Sequence, residues 1–476
     1  MITRKILKNA FYLFFGNISV RVILAIVTIL FARNIGPDEY GIFAVAIAFS
    51  NIVAYFTDSG LTNTFMREAT KEKANITKLI SSYFRVRLVL ALLAIVFSYF
   101  FINSFYSDPN IIKIINLIVY PTIIGVALQG VGTVFFQANE RMQFSAAIMV
   151  TQGVTTSLSI FLGIILKVPL TQVAIMYGCS SLVTGFVSII LVLRYTSLHK
   201  GWDKSILINL LSFTINGIII IMLPQLGPII LEKVSTLSEV GLFSTAYRIP
   251  SVLYQIPGII AIAFYPRLFT YGNDGDYQNH RSLSKFELKL MSFIGMLIGL
   301  PFVLNSEYWI VALLGGEWIK SSAALSILSF MIILQSINYP LADYLTTIGH
   351  QSKRTLVMAI GLLVAILGYL IMGFYYGMLG AAFTAILTET TLLIGFCIFI
   401  KNGLSFFISG VKFNLFSFII CISIYYFLPK DRPLIFLSLT MIFFVLLVIL
   451  LDQQIRQIIK DKIVVKFKHF QKSKSE

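Results

Sequence analysis

Apolar stretches of roughly 20 residues succeed one another along almost the whole chain, separated by short polar turns. That is the length an α-helix needs to cross a hydrocarbon layer. From a cytoplasmic N-terminus the pattern predicts about 14 spans, at residues 10–31, 41–62, 83–105, 113–136, 143–166, 171–193, 207–231, 240–266, 286–313, 322–347, 354–374, 378–400, 412–428 and 433–451. The predicted fold class is an all-α polytopic membrane protein. Arg4, Lys5 and Lys8 precede the first apolar run, but that run is long, contains Arg21 and lacks a small-residue cleavage site. It reads as a retained first span.

Polar residues inside the spans fall in stripes. Asn17, Arg21 and Thr28 share one face of the first span, and Ser244, Arg248, Ser251 and Gln255 share one face of the eighth. Asn51, Tyr55, Asp58 and Thr62 repeat the spacing in the second span, Gln335, Tyr339 and Asp343 in the tenth, and Glu389 stands among threonines in the twelfth. Arg21 lies roughly 15 Å from either end of its apolar run, and Arg248 about 12 Å from the outer end of its own. A charge facing lipid at such depth costs at least ~2.5–3.5 kcal/mol, so these arginines are expected to face a wet cavity. Arginine stays protonated and offers a planar fork of donors to phosphate oxygens, so the cavity is suited to an anion. The alternative is structural pairing, for example Arg21 with Asp58, and for the uncharged groups hydrogen bonding between helices. Glu389, Asp58 and Asp343 are candidates for ion coupling, because a carboxylate exchanges its proton as its exposure to water changes. Asp58 and Asp343 lie toward inner span ends, where contact with cytoplasmic water or lysine also explains them.

The chain contains a repeat. Pro37–Ala46 (PDEYGIFAVA) aligns without gaps to Leu237–Ala246 (LSEVGLFSTA), with Glu, Gly, Phe and Ala coinciding at an offset of 200 residues. Six predicted spans separate the two copies, so both have the same orientation, as in a parallel repeat about an axis along the membrane normal. The expected organisation is a six-helix lobe at 1–194, a cytoplasmic loop at 195–206, a second six-helix lobe at 207–400, and two further helices with a basic tail at 401–476. The two lobes are expected to be pseudo-symmetric around a central cavity. In the tail, Ile455, Ile458, Ile459 and Ile463 alternate with basic residues, which reads as an interfacial helix.

Composition adds less. The chain is 57% hydrophobic and 12% charged with a net charge of +16, about half the charged fraction of a soluble domain. Most of the lysines and arginines fall on the predicted inner side, so topology and anionic lipids explain the surplus and nucleic-acid binding is unnecessary. Cys179, Cys397 and Cys421 sit in apolar spans and the four histidines are scattered. No metal-ligand spacing, phosphate loop or catalytic motif is present, so no catalytic residue, metal or cofactor is expected.

Ala32–Gly41 (ARNIGPDEYG), Asp58–Leu61 (DSGL) with Arg67-Glu68, Phe135–Arg141 (FFQANER) and Gly241–Arg248 (GLFSTAYR) together resemble the Wzx-type O-antigen flippases. These belong to the polysaccharide branch of the multidrug/oligosaccharidyl-lipid/polysaccharide (MOP) exporter superfamily. The resemblance implies a V-shaped pair of six-helix lobes working by alternating access. The implied cargo is an undecaprenyl-diphosphate-linked oligosaccharide turned from the inner to the outer leaflet of the bacterial inner membrane, with both termini cytoplasmic and coupling to an ion gradient. It makes Arg21 and Arg248 diphosphate ligands, with Asn17, Ser251 and Gln255 beside them, and implies a polysaccharide polymerase and a chain-length regulator as partners. Tyr247 and Tyr254 are placed to stack on sugars or simply to pack. The competing readings are a cation-coupled multidrug antiporter, a membrane glycan polymerase or ligase, and a lipid II flippase. The deep charges are cationic, which disfavours the first; large outer loops are missing, which disfavours the second.

Overall fold

A computed structural model of the chain describes residues 2–71, 74–198, 201–208, 210–429, 432–454 and 456–457, with side chains described for all of these except 2–19, 210–213 and 215–216. Every regular element among them is helical. In chain order these are α1 (Ile2–Phe56), α2 (Leu61–Ala69), α3 (Ile76–Phe105), α4 (Pro109–Ala138), α5 (Met142–Leu166), α6 (Leu170–Leu193), α7 (Leu210–Met222) and α8 (Leu226–Val234). There follow α9 (Leu237–Leu253), α10 (Gln255–Asn273), α11 (Tyr277–Leu304), α12 (Ser306–Leu314), α13 (Ser321–Thr347), α14 (Gln351–Phe399), α15 (Gly403–Tyr426) and α16 (Pro433–Leu451).

Eleven helical stretches among the described residues are long and apolar enough to cross a membrane, and the chain is a multi-pass membrane protein. The difference from the predicted spans lies in how the helices join. The first two spans run together in α1, which bends at Gly36 (φ 80°, ψ 169°), and the eleventh and twelfth run together in α14 across Gly377 (φ 54°, ψ −132°). Both bends use a backbone conformation that glycine alone adopts cheaply. Pro37 follows the first bend, where its missing N–H costs nothing. The Glu239 carboxylate accepts from the N–H of Met378 just after the second. The predicted span at 207–231 is two short helices, α7 and α8, parted around Pro224. The eighth is parted at Tyr254 into α9 and α10, three residues before Pro257, whose ring and missing N–H oppose a continuous helix. The interfacial helix expected in the tail lies outside the described residues beyond Gln457.

The chain forms two compact units. The first comprises Met1–Val252, Ile310–Ala324 and Met358–Thr388; the second comprises Leu253–Trp309, Leu325–Val357 and Glu389–Glu476. In the first, α4 packs most extensively on α6, and α1 packs on α5 and α4. Small residues set the α4–α6 distance: a methyl at Gly125 would lie 2.3 Å from the Ser181 backbone, and one at Gly178 would lie 2.5 Å from the Leu117 carbonyl oxygen. Helices in lipid gain most by such close approach, since water drives no association there. In the second unit α11 is central, packing on α15, α10 and α16. A buried ion pair, Lys289 Nζ to Asp452 Oδ2 at 2.7 Å, ties the segment after α16 to α11.

Candidate functional site

The two copies of the repeat meet in the first unit. A methyl at Gly41 would sit 2.2 Å from the Leu237 carbonyl oxygen, and a methyl at Gly241 would sit 2.0 Å from that of Pro37. Position 237 is the repeat equivalent of 37, so the two contacts are the same contact made twice, and they bring the start of α9 against the second half of α1. One turn further along α9, Ser244 and Thr245 are buried, and Arg248 follows, half-buried.

Arg248 lies near two tyrosines. Its guanidinium acts electrostatically on the phenols of Tyr40 from α1 and Tyr177 from α6. Tyr40 lies edge-on to Trp318 with ring centroids 6.0 Å apart, and Phe43 edge-on to Tyr177 at 5.6 Å. No carboxylate pairs with Arg248 among the described residues, and its Nε is buried without a hydrogen-bond partner there. Its carbonyl accepts from Ser251 Oγ at 2.7 Å. An arginine so placed keeps donors available to an anion. Tyr247 beside it is half-buried and tilts against Phe243, centroids 5.6 Å apart, which is a packing position.

Arg21 is exposed on α1, next to Val20, which packs against Gly153 of α5. Asn17 lies in α1, with its side chain outside those described. Gln255 opens α10 in the second unit and is half-buried.

Asp58 is paired with Arg87. Its Oδ1 accepts from Arg87 Nη1 at 3.1 Å, from Thr62 Oγ1 at 2.6 Å and from Tyr83 Oη at 3.3 Å. Arg87, 5% exposed, also donates to the Val126 carbonyl at 3.2 Å and to Tyr83 Oη. Arg87 stands one turn into α3's apolar run, at the level of the end of α1. Opposite charges at matching ends of successive spans were the available signal, and the sequence reading passed over Arg87.

In the second unit Glu389, 6% exposed, has amides as partners: Asn338 Nδ2 donates to Oε2 at 2.8 Å, and Gln335 Nε2 donates to Oε1. Both come from α13 at i, i+3, so one face of that helix holds the carboxyl. Asp343 lies two turns further along α13, buried. Facing it from α11 is Glu287, fully buried and absent from the sequence-derived candidates. No group of three or more His, Cys, Asp or Glu side chains among the described residues is arranged to hold a metal ion.

The fold is shared with transporters. The chain is similar to the lipid II flippase MurJ in an inward closed conformation, with a TM-score of 0.69 at 15% identity, covering 91% of this chain and 97% of that one. It is similar to an outward-facing multidrug resistance MATE family transporter of the MOP superfamily, TM-score 0.58 at 15% identity, covering 86% and 96%. It is also similar to a MOP superfamily transporter from Pyrococcus furiosus, TM-score 0.56 at 15% identity, covering 89% and 96%. No curated protein matches the chain by sequence. These features define the polytopic all-α fold that such transporters have. Residues 6–271 match the family described as polysaccharide biosynthesis protein, and the chain belongs to that family.

Proposed function

We propose that the protein is a flippase that turns an undecaprenyl-diphosphate-linked oligosaccharide, an O-antigen or capsule-type repeat unit, from the inner to the outer leaflet of the bacterial inner membrane. It is a transporter, with no chemical step, and works by alternating access of two six-helix lobes, residues 1–194 and 207–400, with cytoplasmic termini and coupling to an ion gradient. The observation that carries this reading is Arg248: a permanent cation within an apolar membrane-length helical stretch, near the phenols of Tyr40 and Tyr177, with no acidic partner among the described residues. A diphosphate would take the guanidinium's free donors. Arg21, Asn17, Ser251 and Gln255 would line the same path. A polymerase and a chain-length regulator would act on the delivered unit.

The test is export of surface polysaccharide from cells whose chromosomal copy carries Arg248→Ala or Arg21→Ala, with membrane insertion checked by immunoblot. Export is expected to be lost while the protein remains inserted; normal export from both variants overturns the reading. The likeness to the lipid II flippase favours a second reading, in which the cargo is a peptidoglycan precursor. Rescue of a strain depleted of its lipid II flippase would select that one.

A further inference from the structure

On α11, His280, Ser284 and Glu287 recur at steps of four and three residues, which places them on one face, and all three are fully buried. They face α13. His280 Nε2 lies 2.7 Å from Thr347 Oγ1, and the His280 ring stands edge-on to Tyr344 with centroids 4.8 Å apart. The Thr347 hydroxyl donates to the Asp343 carbonyl at 2.7 Å, so it accepts from His280, whose Nε2 carries the hydrogen. This chain of bonds pins α11 to the turn of α13 that bears Asp343.

Glu287 stands out within this face. Neither of its carboxylate oxygens has a hydrogen-bond partner among the described residues, and Asp343 is near enough to act on it electrostatically. Several cations on the surrounding elements are engaged elsewhere. Lys289 is bound to Asp452 at 2.7 Å, and Arg281 donates to the Lys401 carbonyl and lies over the Phe406 ring. Arg267 of α10 donates to the Tyr271 phenol, and Lys412 of α15 lies over Phe413. Lys285, two residues before Glu287 on α11, is half-buried and forms no ion pair among the described residues. Arg354, at the start of α14, acts on Asp343 and donates to Thr346 Oγ1 at 2.9 Å. Arg354 thus offsets part of the burial cost at Asp343, whereas no cation is paired with Glu287 among the described residues. A dry carboxylate with no donor beside a second carboxylate is strongly disfavoured in its ionised form.

We propose that Glu287 and Asp343 form a proton-binding site holding one proton between them, carried on the Glu287 carboxyl while Asp343 stays ionised. Release breaks the Glu287 O–H bond, passes the proton to water and leaves two adjacent carboxylates. Any relative shift of α11 and α13 that admits water would therefore exchange this proton. The inference rests on the transporter reading for its use, since such a site is where a proton gradient would couple to movement. Its existence does not depend on the cargo.

The experiment is infrared difference spectroscopy of the full-length protein in lipid, titrated with pH in sodium-free and sodium-containing buffer. Wild type is expected to show a protonated-carboxyl carbonyl band that persists well above the ordinary carboxyl range and that Glu287→Gln removes. Asp343→Asn is expected to keep the band and lower its titration midpoint by about one pH unit or more, a tenfold change in proton affinity. A band unchanged in Glu287→Gln overturns the proposal, as does a midpoint unmoved by Asp343→Asn should the first variant fail to insert. Loss of the band on adding sodium at fixed pH makes it a sodium site and equally overturns it. None of these measurements involves polysaccharide, so a failed cargo assignment leaves the outcome readable.

Discussion

Gly41 and Gly241, 200 residues apart, each press against the backbone of the other's copy of the repeat, Gly41 on the Leu237 carbonyl and Gly241 on that of Pro37. A contact made reciprocally by equivalent positions is what a two-fold relation between the copies produces. It also sets the position of Arg248, which lies two turns beyond Gly241 on the same helix.

Because the atoms facing these glycines are backbone, they cannot swing aside as a side chain would. Gly41→Ala and Gly241→Ala are each expected to destabilise the protein by about 1–3 kcal/mol through overpacking. Gly316→Ala, where no atom lies within 4 Å of the added carbon, serves as the neutral comparison. Thermal unfolding followed by fluorescence-detected size exclusion reads the difference; equal melting temperatures for all three would refute the tight crossing.

The Asp58–Arg87 pair predicts strong coupling. Removing one partner leaves a largely buried charge uncompensated, at about 3–5 kcal/mol. Arg87→Met and Asp58→Asn should each be severe, and the double variant should be milder than their sum. Additive effects in a double-mutant cycle would mean the pair contributes no mutual stabilisation.

At Arg248 the geometry of the fork should matter as well as the charge. Arg248→Lys keeps the charge but gives up bidentate donation, so polysaccharide export should fall severalfold while Arg248→Ala abolishes it. Full export from the lysine variant would show that charge alone suffices.

Glu389 receives two amide donors, from Gln335 and Asn338. In Glu389→Gln one of those donors meets an NH2 group instead of an oxygen, at a cost of about 1–3 kcal/mol unless a neighbouring amide turns over. If Glu389 takes part in ion coupling, the same variant weakens the pH or sodium dependence of transport. An unchanged dependence removes it from coupling and leaves a helix-joining role.

The loss of Lys289 should loosen the segment that follows α16. Lys289→Met leaves Asp452 buried without its cation, which costs several kcal/mol, whereas Lys289→Met with Asp452→Leu should recover much of the loss. Limited proteolysis after residue 452 measures it: single-variant cleavage no faster than wild type contradicts the latch.

The sequence by itself determined the membrane-spanning class, where the apolar helices lie, the repeat at Pro37 and Leu237, and the place of Arg248 just after its second copy. These are local properties: a run of apolar residues in lipid satisfies its backbone in only one way, as a helix, whatever surrounds it. The tertiary structure decided who meets whom. It gave Asp58 to Arg87, Glu389 to the amides of α13, and Glu287 to Asp343. It also parted the eighth span at Tyr254 and ran the first two together through Gly36. Pairing depends on the rotation and relative depth of helices far apart in sequence, and a stripe of polar residues has no record of which neighbour it faces.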